Sequence, residues 1–174
     1  MSRSHYRYLL EQGVGAAVVN FAINAAIAWA MFRGAPSVPL WGQQSIMADT
    51  LGTCFMLPFI TCLIVTPMAR RHVRAGRVPA LGWTRASHPV LSWLPRRTAA
   101  RGAVLGLACM ATLAPVAWVG LGHYGVADLS VGDFVLFKGS FAAAAAALVT
   151  PAIALWGIAE SGPEHAADRQ SDSR

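Results

Sequence analysis

Four stretches of this chain stay apolar for the full thickness of a bilayer, and no other feature narrows the possible folds so far. A hydrocarbon core of about 30 Å takes roughly 20 helical residues. Val14 to Phe32, Thr50 to Met68 and Gly102 to Gly120 carry no charged side chain, and Phe134 to Ile158 carries only Lys138. Each run is too long and too uniform for a buried helix of a small soluble domain. Of the 174 residues, 55% are hydrophobic and 13% charged, against roughly 25% charged in a soluble domain. The surplus apolar side chains must face something other than water. In lipid each segment has to satisfy its own backbone polar groups, so the spans are helices. The expected fold is an all-α polytopic membrane protein of four transmembrane helices.

Orientation follows from where the basic residues fall. The net charge of +6 looks like a nucleic-acid signal until the charges are located. Arg3 and Arg7 precede span one, and only Arg33 follows it. Between spans two and three stand Arg70, Arg71, Arg74, Arg77, Arg85, Arg96, Arg97 and Arg101. The connection after span three has none, and the tail has Arg169 and Arg174. Taken alternately, one side holds twelve basic residues and the other one. The N-terminus, the central segment and the C-terminus are therefore expected in the cytoplasm of a bacterium, with the spans in its inner membrane. A cleavable signal at span one is the alternative, but the run is long for a signal core and contains Asn20 and Asn24.

These boundaries divide the chain into a cytoplasmic segment 1–13, a transmembrane hairpin 14–68, an arginine-rich segment 69–101, a second hairpin 102–158 and a disordered tail 159–174. Asp49 stands seventeen residues before Thr66-Pro67, and Asp133 seventeen before Thr150-Pro151. Both copies read Val-Thr-Pro at the far end. The halves thus read as tandem helical hairpins, and the even number of spans between equivalent points gives them the same orientation. An apolar span, a short outer loop and a second span ending in Pro67 with Arg70 and Arg71 resembles small bacterial inner-membrane proteins. That resemblance covers about half the chain and implies a location, with no residue role.

Polar groups within the spans are the candidate site, because each is costly in hydrocarbon without a partner. Asn20 and Asn24 are four apart and share a helix face. They read either as interhelical glue or as a site lining. Lys138 lies one turn inside span four. It either reaches back to the interface or pairs with Asp49 or Asp133, which have a similar depth. Pro58, Pro67, Pro115 and Pro151 each free a carbonyl, those of Cys54, Leu63, Ala111 and Ala147. Gly102 and Gly106 form a GxxxG, and Ala142 to Ala147 a smooth face. Both allow close helix packing or a dimer contact.

The central segment reads as an interfacial stretch. Val78 to Leu94 mixes Trp83 and Trp93 with Arg85, His88 and prolines 79 and 89. Trp29 and Trp41 suit the outer interface, and Tyr6, Tyr8 and Trp156 the inner one. Arg70, Arg71, Arg74, Arg77, Arg96, Arg97 and Arg101 are the expected contacts for anionic lipid head groups. Cys54, Cys62 and Cys109 lie inside spans and read as packing residues. No metal or cofactor is expected, and no nucleic-acid partner. No span contains a histidine, and the chain has no HExxH, phosphate loop, GxSxG or CxxC. The leading expectation is a non-enzymatic structural or accessory membrane component, alone or in a homo-oligomer or larger membrane complex. The alternatives are a small oligomeric permease or channel, and an enzyme using His72 or His88 on a lipid phosphate.

The orientation is open to direct challenge. A cysteine placed at Ser37 should react with an impermeant thiol reagent from outside intact cells. One at Ser87 should react only after permeabilisation. The opposite pattern overturns the assignment.

Overall fold

A computed structural model gives the fold of residues 2–81 and 93–161. The chain is all-α, with four helices long and apolar enough to cross a membrane. They are α1 (Arg3–Phe32), α2 (Ile46–Arg74), α3 (Thr98–His123) and α4 (Val131–Ala159). Two-residue strands, β1 (Val38–Pro39) and β2 (Asp128–Leu129), pair antiparallel and tie the α1–α2 loop to the α3–α4 loop. This side of the molecule is the loop end; the opposite side, with the arginines, is the basic end. Trp83, Arg85, His88 and Pro89 lie outside the described residues, as does 162–174 of the tail.

Local chemistry sets the helix ends. The Ser45 hydroxyl accepts from the Ala48 amide at 3.2 Å, and that of Ser130 from the Asp133 amide at 3.1 Å, so both cap first-turn donors. Asp49 and Asp133 fall in those first turns, where the helix dipole favours an anion. Arg71, His72 and Arg74 fall in the last turn of α2, where it favours a cation. Gly76 at φ 69° and Gly125 at φ 65° take the left-handed conformation that stops α2 and α3. All four prolines named above sit inside helices without ending them. The helix α1 begins at Arg3, ahead of the apolar run that starts at Val14. Residues 3–12 contain neither glycine nor proline, and Arg7 pairs with Glu11 at 2.8 Å one turn on.

The helices do not close into a ring. α1 packs on α4, α4 on α2, and α2 on α3. Consecutive helices hardly touch: α1 stands off α2, and α3 stands off α4. The order in space is α1–α4–α2–α3, with the two central helices the more buried. Small residues explain which pairs form. A Cβ on Gly106 would lie 2.7 Å from the Phe55 carbonyl oxygen, and one on Gly102 3.1 Å from that of Phe59. The GxxxG of α3 thus serves α2 of the same chain. Gly139 of α4 admits Phe21 of α1, and Gly157 admits Ala69 of α2. Ala142, Ala145 and Ala146 pack beneath Leu57, with Ala16 and Leu113 alongside. Lipid tails are as apolar as leucine, so close backbone approach is what selects neighbours here.

Apolar clusters close both ends. Phe32, Val38, Ile46 and Phe134 pack at the loop end, with the two phenyl rings 5.0 Å apart and edge to face. At the basic end Val78 and Leu81 return from the central segment to pack on Ala69, Ile153 and Ile158. Tyr8, read as an interface anchor, is buried in this cluster, its hydroxyl 3.1 Å from His72 Nδ1.

Gly106→Leu should lose about 1–3 kcal/mol of stability, the usual cost of overpacking. Gly15→Ala has open space at its Cβ and should be neutral or stabilising by up to ~1 kcal/mol. Unfolding in mixed detergent micelles measures both. Equal stability of the two variants would contradict this α2–α3 contact.

Candidate functional site

Because α1 leans on α4 and leaves α2, a cleft of about 720 Å³ opens between α1 and α2. Its α1 wall runs from Glu11 to Met31 and its α2 wall from Asp49 to Met68. Twenty residues of helix at 1.5 Å each make that wall about 30 Å long, the depth of a hydrocarbon core. Lys138 and Thr150 belong to α4, which closes the back.

The cleft brings together four of the five polar residues picked out in the sequence. Asn20 and Asn24 line it. Each amide bonds its own helix: Asn20 Nδ2 donates to the Ala16 carbonyl at 2.9 Å, and Asn24 Nδ2 to the Asn20 carbonyl at 3.0 Å. Neither bond crosses to another helix, so interhelical glue is not how these amides are used among the described residues. Each side-chain oxygen keeps its acceptor capacity. Asp49 and Lys138 form an ion pair between α2 and α4, with side chains 14% and 6% exposed. The partner of Lys138 is Asp49, because α2 and α4 are neighbours. Asp133 stays outside the cleft, exposed, accepting from the Ser130 hydroxyl at 2.7 Å.

A second buried charge cluster holds the basic end, and its central residue escaped the sequence reading. By sequence Glu160 belongs to the polar tail 159–174. In the structure it is the C-cap of α4 and buried. It takes Arg101 through both guanidinium branches, with Nη1 3.1 Å from Oε2, and it accepts from Arg70 Nη2 at 2.6 Å. Arg101 is 2% exposed and also donates to the Pro95 carbonyl. Burial alone would push the Glu160 carboxyl up; the Arg101 and Arg70 guanidiniums outweigh it and hold the group below the usual carboxylate range. Arg70 and Arg101, read as lipid contacts, thus face a carboxylate. Arg71, Arg74, Arg77, Arg96 and Arg97 are exposed. The only sequence clue to Glu160 was its place directly after an apolar run, facing a chain rich in arginine.

The described residues contain no group of three or more His, Cys, Asp or Glu placed to hold a metal ion. Cys54 and Cys62 are buried free thiols, and Cys109 is partly buried. No protein-family model matches the chain, and neither the curated proteins nor the solved structures include a significant match.

Removing one partner of a buried ion pair leaves an uncompensated charge and costs about 3–5 kcal/mol. Asp49→Asn and Lys138→Met should each destabilise the protein in that range. The double variant should lose much less than the two losses combined. Additive losses in a double-mutant cycle would mean that the two side chains do not interact.

Proposed function

We propose that this chain is a non-enzymatic accessory component of a bacterial inner membrane that works by holding a guest in its α1–α2 cleft. The carrying observation is the chemistry of that cleft. Its polar groups are amides and hydroxyls, and its charges are matched: Asp49 with Lys138, and Glu11 with Arg7. The lining among the described residues contains no histidine or cysteine, and its charges are paired, so it favours holding over bond making. The alternating basic count supports a cytoplasmic N-terminus, central segment and tail. The exposed arginines Arg71, Arg74, Arg77, Arg96 and Arg97 suit anionic head groups on that face.

A duplicated hairpin accounts for the packing pattern. Under the match of Asp49 to Asp133, α1 corresponds to α3 and α2 to α4. A two-fold relation then pairs α1·α4 with α3·α2, and makes α2·α4 and β1·β2 self-matching. Those are the contacts that form. The halves have diverged at the site. Cys54 occupies the position matching Lys138, so Asp133 has no lysine to meet.

A permease acting as an oligomer is the second reading, favoured by an ion pair and two asparagines at depth. Vesicles separate the two. The accessory reading expects no protein-dependent flux of protons, sodium, potassium or chloride above empty vesicles. A flux that Asn24→Leu abolishes in still-folded protein would replace it with the permease reading.

A further inference from the structure

Thr150 is the polar residue in the cleft that the protein leaves unsatisfied. It is 1% exposed, and its hydroxyl oxygen has no hydrogen-bond partner among the described residues. Its counterparts do better. Thr50, Thr53 and Thr112 each donate to the carbonyl four residues back, at 2.7 to 2.9 Å. Thr66, at the matching place in the other half, has the Cys62 sulfur 3.6 Å away. Ala146 stands where that cysteine would be, so Thr150 has lost the partner. An unpaired buried hydroxyl costs about 1–3 kcal/mol, and Thr150 stands in the wall of the α1–α2 cleft.

The dimensions and charge of the cleft narrow its guest. Spread along about 30 Å of helix, a volume of 720 Å³ makes a long, narrow groove. That shape suits a single hydrocarbon chain, with carbon contacts at about 3.5–4.0 Å along its length. The charges cancel in pairs, so an anionic head would lie in the cleft without a counter-charge. A hydroxyl or carbonyl head meets groups of its own kind in the Thr150 hydroxyl, the Gln12 amide and the amide oxygens of Asn20 and Asn24.

We infer that the α1–α2 cleft binds a neutral single-chain amphiphile, such as a long-chain alcohol or monoacylglycerol, with a polar head that hydrogen-bonds Thr150. This rests on the cleft being the working surface, but not on the absence of flux, so vesicle and binding results fail separately.

The test is photolabelling in phosphatidylcholine nanodiscs. The probe is a long-chain fatty alcohol with a mid-chain diazirine, compared with the matching fatty acid and the matching headless alkane. Labelled peptides are mapped by mass spectrometry. The alcohol should label Val19, Asn20 and Met56 above the lipid-facing Val116 and Val119, and unlabelled monoacylglycerol should compete. Gly15→Phe with Gly52→Phe fills the cleft at two positions where an added Cβ meets nothing within 4 Å. It should cut cleft labelling about tenfold, a loss of about 1.4 kcal/mol. Thr150→Val, which keeps the side-chain shape, should cut alcohol labelling about fivefold and leave the alkane unchanged. Its melting temperature should hold or rise, since an orphan hydroxyl is removed. Labelling spread evenly over all helices, or unaffected by the filled cleft, would reduce the guest to bulk lipid and overturn the inference. So would a fatty acid that labels as well as the alcohol, or a Thr150→Val variant that labels normally.

Discussion

Two ion clusters clamp α4 to its neighbours, one near each end, and the rest of the structure hangs on that clamp. Lys138 meets Asp49 of α2 toward the loop end, and Glu160 gathers Arg70 of α2 and Arg101 of α3 at the basic end. In hydrocarbon a lone charge is costly enough that each member is held to its partner. Between the clusters the contact is made by small residues, Gly157 against Ala69 and the Ala142–Ala146 face against Leu57. Charge fixes which helices meet, and the absence of side-chain bulk fixes how closely.

Among the described residues that central pair leaves α1 resting mainly on α4, with Tyr8 reaching His72 of α2 at the basic end. Gly139 and Gly13 seat α1 on α4, against Phe21 on one side and the Pro151 ring on the other. A helix seated so firmly on α4 does not also lie along α2. The cleft is therefore a product of the same contacts that build the fold. Its lining follows from position: the α1 stripe with Asn20 and Asn24, the α2 start with Asp49, and the α4 face with Lys138 and Thr150.

The polar groups in the cleft are mostly self-sufficient. The asparagine amides bond their own backbone, and the ion pair is internally balanced. A site of this kind discriminates by shape and by a few unspent hydrogen-bonding atoms, as small-molecule sites generally do.

The four spans were legible from the amino-acid sequence, because a bilayer demands about 20 apolar residues in a row and the chain supplies four such runs. The caps at Ser45 and Ser130 and the close-packing glycines 102 and 106 were equally local. So was the short list of polar residues within the apolar runs, of which Asn20, Asn24, Asp49 and Lys138 line one cleft. Only the tertiary structure decided who stands beside whom. Hydropathy reads the same for every order of four apolar helices, so nothing local said that α1 takes α4 and α2 takes α3. That choice gives Lys138 to Asp49 and not Asp133, turns the Asn20–Asn24 stripe toward a cleft, and leaves the Thr150 hydroxyl without a partner among the described residues. It also draws Glu160 out of what reads as a tail, since a carboxylate next to two arginines of other helices is a relation across 59 and 90 residues of chain, beyond the reach of any local pattern.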